Sequence, residues 1–274
     1  MKIATWNVNS LRVRLTEVCA WVGRHAPDVL ALQETKVEDA QFPESAFTEM
    51  GYQVLYAGQK TYNGVALLSR HACTDNRRVL GPDDPQQRYL AATICGVRIV
   101  NVYVPNGSQV DSDKYLYKLA WLRMLESSLR EDLQRYPELL VLGDFNIAPE
   151  DRDVHDPLAW EGSVLVSKPE RQQFQALLNL GLIDLFRAFP QAEALFSWWD
   201  YRVGAFRRNR GLRIDHVLGS AAMHLRCVRC DIDREPRASE RPSDHAPVIA
   251  EFVTDWPNLI QKSPISPATA GPDP

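Results

Sequence analysis

The stretch Glu138-Leu139-Leu140-Val141-Leu142-Gly143-Asp144-Phe145-Asn146 is the most informative part of the sequence, because an apolar run here ends in two polar side chains. The run is continuous and bounded by Pro137 and Gly143, which predicts a buried β-strand rather than a helix. Gly143 permits a tight turn, after which Asp144 and Asn146 project to one side. On this segment alone, the favoured interpretation is a strand that ends in a Gly-Asp turn with an Asx hydrogen bond.

Composition predicts an ordinary globular protein. The chain has 274 residues, 45% of them hydrophobic and 24% charged, which allows one large domain with a real core. Five scattered cysteines, an odd number, argue against a disulfide framework and for a reducing compartment. No signal-peptide pattern opens the chain, and no stretch approaches the ~18 apolar residues of a spanning helix. We therefore expect a cytoplasmic protein without a membrane partner.

Hydrophobic periodicity predicts alternating helices and strands. Helices are expected over 11–22, with Ser10 as N-cap, and over 44–50, 119–133 and 170–180. Strands are expected over 2–8, 29–32, 52–57, 64–69, 89–95, 97–104, 211–218 and 248–253, those between 52 and 104 as antiparallel meanders. Residues 196–199 form either a strand or an exposed aromatic ridge. Cys227 and Cys230 lie in a strand-like run without nearby histidines, so we discard them as a zinc site.

Polar side chains mark the ends of several predicted strands. They are Asn7, Glu34, Tyr103 with Asn106, Asp144 with Asn146, and Asp244 with His245. Asp215 instead lies inside an apolar run, where a bare carboxylate is costly and needs a partner. Oxygen ligands without thiolates suit Mg²⁺ or Mn²⁺, and a histidine oriented by a carboxylate suits chemistry on a phosphate. Because these groups span residues 7 to 245, one domain must close around one site.

The charge is −4, yet arginines crowd one segment that includes Arg207, Arg208 and Arg210. A local basic face would suit nucleic acid, while a solvated loop explains the same run about equally well.

Six motifs together resemble those of the exonuclease III/abasic endonuclease branch of the endonuclease–exonuclease–phosphatase superfamily. They are Trp6-Asn7-Val8-Asn9, Leu32-Gln33-Glu34-Thr35-Lys36, Tyr103-Val104-Pro105-Asn106-Gly107, Gly143-Asp144-Phe145-Asn146-Ile147-Ala148-Pro149, Gly211-Leu212-Arg213-Ile214-Asp215 and Ser243-Asp244-His245-Ala246-Pro247. The resemblance runs from Met1 to about Val253. It implies a four-layer α/β sandwich of two packed, mostly antiparallel sheets flanked by helices, as one domain over residues 1–255. The proline-rich residues 256–274 are expected to form a disordered tail.

The resemblance also implies roles for individual residues. Mg²⁺, replaceable by Mn²⁺, would be held by Glu34 with Asn7 and Asp244 near it, and Asp144, Asn146 and His245 would complete that group. Asp144 would activate the attacking water, Asn146 would orient it, and His245, held by Asp215, would contact the scissile phosphate. Tyr103 and Asn106 would hold the phosphate or help the leaving oxygen. The implied partner is double-stranded DNA, bound by a monomer through Arg207, Arg208, Arg210, Trp198 and Leu212.

Two alternatives compete with a DNA nuclease. One is a phosphatase of the same superfamily that acts on small phosphomonoesters; the arginine-rich segment argues against it. The other is a non-catalytic nucleic-acid-binding regulator, which is disfavoured because every catalytic position is filled. One departure from the family pattern concerns substrate choice, since Leu165 occupies a loop position where a small residue is usual. A branched side chain there would crowd a flipped-out abasic sugar, so we expect 3′-end trimming to outweigh incision at internal abasic sites.

Overall fold

Twelve strands form two sheets within residues 1–82 and 84–253, the part of the chain that the computed structural model describes. The predicted tail at residues 256–274 lies outside the described residues. The strands are β1 Lys2–Asn7, β2 Val29–Gln33, β3 Gln53–Ala57, β4 Val65–Ser69, β5 Cys73–Arg77, β6 Tyr89–Ile94, β7 Val97–Tyr103, β8 Leu139–Asp144, β9 Ile183–Asp184, β10 Asp215–Gly219, β11 Cys227–Ile232 and β12 Val248–Phe252.

Six α-helices and four short 3₁₀ helices accompany these strands in the described part of the chain. The α-helices are α1 Leu11–His25, α2 Glu44–Thr48, α3 Asp113–Arg135, α4 Pro157–Trp160, α5 Lys168–Leu178 and α6 Ala221–Arg226. The 3₁₀ helices are Asp39–Gln41, Asp151–Asp153, Arg202–Gly204 and Glu235–Ala238.

The two sheets pack face to face, with helices on both outer sides. Sheet A has the order β11-β12-β1-β2-β4-β3, and sheet B has the order β5-β6-β7-β8-β10-β9. Apolar side chains such as Val29 of sheet A and Leu140 of sheet B fill the space between the sheets. Helix α1 covers the outer face of sheet A through Trp21, and α3 and α5 cover sheet B. The four-layer sandwich expected from the resemblance is confirmed.

Each sheet contains one parallel strand pair, and these two pairs determine where the site forms. β1 pairs in parallel with β2, and β7 pairs in parallel with β8, while all other pairings of these sheets are antiparallel. The carboxyl ends of parallel strands meet at one edge, so Asn7 lies beside Gln33 and Tyr103 beside Asp144. β10 runs antiparallel to β8, which sets Asp215 opposite Asp144. Polar ends of five strands thus converge.

Several sequence-based boundaries need correction. The expected meander over 52–104 divides between the sheets, because β3 and β4 join sheet A whereas β5, β6 and β7 join sheet B. Ser10 precedes α1 with φ of 88°, but its side chain accepts no capping hydrogen bond. The helix expected from 119 begins instead at Asp113, where the side chain of Ser112 accepts a hydrogen bond from the Tyr115 amide. Strand β10 begins at Asp215 rather than Gly211, since Leu212 forms only isolated bridges with Val154 and Trp198.

Candidate active site

Asp144 lies at the centre of the converging strand ends. The side-chain amide of Asn7 donates to Glu34 Oε1 at 2.8 Å and to Asp144 Oδ2 at 2.9 Å, which joins the two sheets across the site. Both Asn7 and Asp144 are buried, and Glu34 is only partly exposed. The predicted gathering of Asn7, Glu34 and Asp144 at one place is therefore observed.

The backbone after β8 turns sharply because Gly143 has no side chain. Its φ is 143°, and an added Cβ would lie 1.9 Å from the Val102 carbonyl oxygen. The next turn is the predicted Asx turn, since the Asn146 amide donates to Asp144 Oδ1 at 2.8 Å. Asn146 itself has φ of 50°, a left-handed conformation that asparagine tolerates. Asn106 then donates its side-chain amide to Asn146 Oδ1 at 2.9 Å.

His245 and Asp215 form the hydrogen-bonded pair that the sequence predicted. His245 Nδ1 lies 2.9 Å from Asp215 Oδ2, and both residues are almost completely buried. Ser197 donates its hydroxyl to the same Asp215 oxygen at 2.7 Å and accepts the backbone amide of Asp215. On the other side of the ring, His245 Nε2 lies 3.8 Å from Asp144 Oδ2. The imidazole is thus held between two carboxylates.

The charges of this cluster depend on burial and on one another. Burial alone would lower the pKa of His245, but the carboxylates of Asp215 and Asp144 outweigh it and raise that pKa to about 10. Burial raises the pKa of Asp144 to about 7, with His245 opposing the rise and Asp215 and Glu34 adding to it. The positively charged imidazolium of His245 can attract a phosphate. The carboxylate of Asp144, whose charge the imidazolium only partly neutralises, can still act as a base near that phosphate.

The donor set fits a hard divalent cation. One ligand atom from each of Glu34, Asp144 and His245 lies within 4.8 Å of the others. Two of the three are carboxylates, as Mg²⁺ and Mn²⁺ prefer, whereas His245 could be a ligand only without the proton on Nε2. Lys36 Nζ lies 2.8 Å from Glu34 Oε2 and partly neutralises it. A bound cation would relieve the repulsion between Glu34 and Asp144.

Three of the predicted metal ligands do not present free oxygens in this arrangement. Asn7 turns its amide nitrogen to the carboxylates, while its oxygen accepts from the Asn9 amide at 3.0 Å. Asp244 accepts from Trp198 Nε1 at 3.0 Å and from Asn9 Nδ2 at 2.9 Å, which occupies both of its oxygens. Asn146 likewise uses its oxygen for Asn106. Direct ligation by these residues is not supported here, because each side chain instead positions its neighbours.

Tyr103 lies beside the carboxylates at the end of β7. It is 9% exposed, and burial followed by the charge of Glu34 raises its pKa well above the ordinary value. Arg88 lies over the ring, with its guanidinium carbon 4.4 Å from the ring centroid. The hydroxyl therefore stays protonated at neutral pH and is available as a hydrogen-bond donor.

The residues predicted to bind DNA differ in how accessible they are. Arg207, Arg208 and Arg210 are exposed, and Trp198 is partly exposed at the rim of the site. The prediction that Leu212 contacts DNA does not agree with this structure, because the side chain of Leu212 has 0% exposure. It packs under Trp198 in an apolar cluster and supports that ring from below.

Leu165 occupies the same apolar cluster. Its side chain is 4% exposed and packs with residues that include Val154 and Leu212. Its φ is 77°, a backbone conformation that strongly favours glycine. The loop is anchored beside the catalytic turn, since Ala148 donates its amide to the Leu165 carbonyl at 2.8 Å. Leu165 thus fills space next to the turn that carries Asn146.

Sequence reasoning missed several residues that hold the site in place. Ser197, which fixes Asp215, lies within an aromatic run and gives no separate signal. Lys118 and Glu170 form a buried ion pair behind the catalytic turn. Of these residues, only Glu170 could have been identified from the sequence, because Ser167-x-x-Glu170 fits the pattern of a capping box. The structure contains that box.

Comparisons with known proteins agree with this geometry. Residues 4–245 match the model of the "Endonuclease/Exonuclease/phosphatase family". The exodeoxyribonuclease III of Haemophilus influenzae is 38% identical over 92% of this chain and 100% of its own length. A 3′ phosphatase from Neisseria, NExo, solved with a product DNA hairpin, is 48% identical with a TM-score of 0.91, over 93% of this chain and all of that chain. An AP endonuclease from Archaeoglobus fulgidus is 40% identical with a TM-score of 0.89 and the same coverage. The chain therefore belongs to the endonuclease/exonuclease/phosphatase family, in its exonuclease III branch, and is a hydrolase of the nuclease type.

Proposed function

We propose that this enzyme hydrolyses phosphate esters at the 3′ ends of double-stranded DNA, as a 3′→5′ exonuclease and 3′-phosphatase of the exonuclease III type. The observation that carries the proposal is the arrangement of Asp144 between Asn7, Glu34 and the Asp215–His245 pair. It combines a carboxylate base, a positively charged donor and a cation-binding cluster at one edge of the sheets. The relatives named for exonuclease and 3′-phosphatase activities support the choice of substrate.

Each side chain of the cluster then has a role in phosphate hydrolysis. Asp144 takes the proton of the attacking water, and Asn146 orients that water. His245, kept charged by Asp215, donates to a non-bridging phosphate oxygen and offsets the negative charge that grows in the transition state. Tyr103 and Asn106 hold the phosphate from the β7 side. Such positioning is the main contribution that a protein can make to phosphoryl chemistry.

We assign Mg²⁺ as the cofactor, with Mn²⁺ as a substitute. Glu34 and Asp144 would hold it, and the charged His245 beside them would face the phosphate instead. When bound, the ion would supply positive charge opposite the phosphate oxygens. Asn7 keeps the two carboxylates close, which prepares them to share one cation.

Double-stranded DNA is the proposed partner, bound through its backbone by Arg207, Arg208 and Arg210. Exposed guanidinium groups on an otherwise acidic chain contact phosphates without reading bases. Trp198, at the rim between Asp244 and the apolar cluster, offers a surface for the terminal nucleotide. The chain has five cysteines, an odd number, which suits a cytoplasmic enzyme better than a disulfide framework. Within residues 1–82 and 84–253 no helix combines the length and apolarity needed to cross a bilayer. We propose that the protein acts as a monomer.

Leu165 limits the action of the enzyme at internal abasic sites. Its side chain is 4% exposed and packs in the apolar cluster beside the catalytic turn, so it would restrict a flipped-out abasic sugar by holding this loop in place rather than by direct contact. A frayed 3′ terminus enters with fewer constraints. Incision at internal abasic sites is therefore the weaker activity.

One set of matched substrates tests the proposed function. A single duplex sequence is prepared with a recessed 3′-hydroxyl end, a 3′-phosphate or an internal abasic site, and a small phosphomonoester is assayed beside it with Mg²⁺. We expect rapid release from both 3′-end substrates, slower abasic incision and little hydrolysis of the small ester. Preferential hydrolysis of the small ester would favour the phosphatase alternative, and binding of DNA without any hydrolysis would favour a regulator.

A further inference from the structure

A fully buried lysine connects three segments around the catalytic turn. Lys118 of α3 has 0% side-chain exposure, and its ammonium group has three hydrogens to donate. It donates to the Asn146 carbonyl at 2.6 Å, to the Asn106 carbonyl at 3.2 Å, and to a carboxylate oxygen of Glu170. Every donor of the ammonium group is therefore used, and two of its three acceptors belong to residues assigned to the phosphate site.

Glu170 extends this connection to the loop that contains Leu165. The Glu170 carboxylate accepts from the Leu165 amide at 3.0 Å and from the Ser167 amide at 3.1 Å. Tyr115, one turn before Lys118 on α3, bonds Ser167 Oγ at 2.6 Å. α3 thus contacts both the catalytic turn and the Leu165 loop through a closed polar network.

Helix stability alone does not explain this arrangement. A capping box needs only Ser167 and Glu170 and uses no lysine. Burying an ammonium group is costly unless its partners compensate, and replacing a buried ion pair by neutral residues is often not destabilising. The Asn146 backbone has φ of 50°, so its carbonyl must be held in an uncommon orientation. The ammonium group holds that carbonyl and the Asn106 carbonyl at fixed positions.

We propose that Lys118 is a positioning residue for catalysis, which fixes Asn146 and Asn106 relative to the phosphate and couples them to the Leu165 loop through Glu170. This inference rests on the proposed function, because it assumes that Asn146 and Asn106 contact the substrate or its water. A displacement of about 1 Å in such a group is enough to cost about 100-fold in rate. Substrate binding through the exposed arginines does not pass through Lys118.

The test is the double variant Lys118→Met/Glu170→Gln, which removes both charges and keeps their volumes. We expect kcat on the 3′-phosphate duplex to fall about 10- to 100-fold with KM within about threefold of wild type. Its unfolding midpoint should lie above that of Lys118→Met alone, because no charge is left buried and unpaired, although the two carbonyls lose this donor. The matched control is Arg98→Met/Asp132→Asn, a buried pair away from the site with Nε to Oδ2 at 3.4 Å, which should leave kcat unchanged. A folded double variant with wild-type kcat overturns the proposal.

Two further results distinguish a failure of the proposed function from a failure of the proposed role of Lys118. Wild-type protein without 3′-end hydrolysis would refute the proposed function itself, whereas active wild type with an unaffected double variant refutes only the role of Lys118. If the double variant does not fold, Lys118→Gln decides the question, since the Glu170 carboxylate keeps its hydrogen bonds from the Leu165 and Ser167 amides. The side-chain amide of Gln can donate to the carbonyls but cannot replace all three bonds of the ammonium group. We expect kcat to fall about 10-fold with KM within about threefold of wild type. A folded Lys118→Gln with kcat within about threefold of wild type would overturn the proposal.

Discussion

The hydrogen bond between His245 and Asp215 shows how much one residue can reveal in a sequence. A carboxylate inside an apolar strand requires a partner, and His245 at 2.9 Å provides it. The motifs in the sequence identified His245 as the partner of Asp215. They did not identify Ser197, which is the third member of this hydrogen-bonded group. Its hydroxyl contacts Asp215 only because Ser197 and Trp198 pair with Leu212, just before β10. Sequence also could not orient Asn7, whose amide turns its nitrogen rather than its oxygen to the carboxylates.

The first residue-scale prediction concerns the Asp215–His245 unit. Asp215→Asn and His245→Gln should each lower kcat by roughly 10²–10⁴, because the charged imidazole and its orientation are lost together. The double variant should lose far less than the product of the single losses, as steady-state kinetics on a 3′-phosphate duplex would show. The partly exposed pair His71 and Asp28, at 3.6 Å, is the control and should not alter the rate. Strictly multiplicative losses would show independent action.

The second residue-scale prediction concerns His216, which is buried behind the site. Its Nδ1 accepts from Arg213, and its Nε2 donates to the Ile147 carbonyl at 2.9 Å. Burial, and then the charge of Arg213, lowers the pKa of His216 to about 4 from its ordinary 6.5. As pH falls, the unfolded chain therefore takes up a proton on His216 before the folded chain does. The contribution of the neutral His216 to the free energy of unfolding is complete above pH 6.5 and is lost as pH falls towards 4. The total loss is about 3 kcal/mol.

Urea unfolding at pH 7.5 and pH 5.0 measures this effect. The free energy of unfolding should fall by about 2 kcal/mol through His216 between these values. His216→Gln should be less stable at pH 7.5 but should lose most of this pH dependence. An equally steep dependence in the variant would mean that other groups cause it.

At the scale of elements, sequence predicted the strands that carry the site better than the segments around them. β1, β2, β7 and β8 are fully or almost fully buried, and such apolar runs with polar ends are easily recognised. β5 was missed, because three of its five residues are exposed and its sequence is polar. The contact between Lys118 and Glu170 joins positions 52 residues apart, and no local pattern predicts it.

The element-scale prediction concerns the Leu165 loop. Leu165→Gly should raise abasic incision relative to 3′-end release, because it opens the apolar cluster and relieves a φ of 77°. Both rates are measured on duplexes of identical sequence. Leu182→Ala removes a 3%-exposed leucine from the core under α3 and α5, away from the site, and should lower stability without changing the ratio. Wild-type protein that incises abasic sites much faster than it trims 3′ ends would show that Leu165 imposes no such limit.

At the scale of the whole molecule, the two parallel strand pairs explain why residues 7 to 245 meet at one edge. Each sheet delivers its polar strand ends to that edge, and Asn7 bridges the sheets there. The resemblance to the family made the four-layer sandwich predictable. The division of residues 52–104 between two sheets was not predictable, because turn residues do not specify which sheet a strand joins. The net charge of −4 likewise conceals a local basic segment.

The prediction at this scale concerns binding of DNA through that segment. Replacing Arg207, Arg208 and Arg210 by Gln should weaken binding of duplexes similarly for all sequences. The slope of log affinity against log salt concentration should shrink by up to about 3, roughly one for each phosphate that is no longer neutralised. Arg123, Arg130 and Arg135 are exposed on α3, and their replacement by Gln is a control with the same change in charge. A loss of affinity that depends on base sequence would argue for base readout instead.

The rate of 3′-end hydrolysis with and without divalent cations in wild type, Glu34→Gln and Asp144→Asn tests whether Glu34 and Asp144 form the catalytic site. We expect EDTA to abolish hydrolysis in the wild type and Mg²⁺ or Mn²⁺ to restore it. Glu34→Gln should need more Mg²⁺ and react far more slowly, and Asp144→Asn should stay inactive at any Mg²⁺ concentration while still binding the duplex. Full activity in EDTA, or wild-type rates in either variant, would contradict a catalytic site built around these two carboxylates.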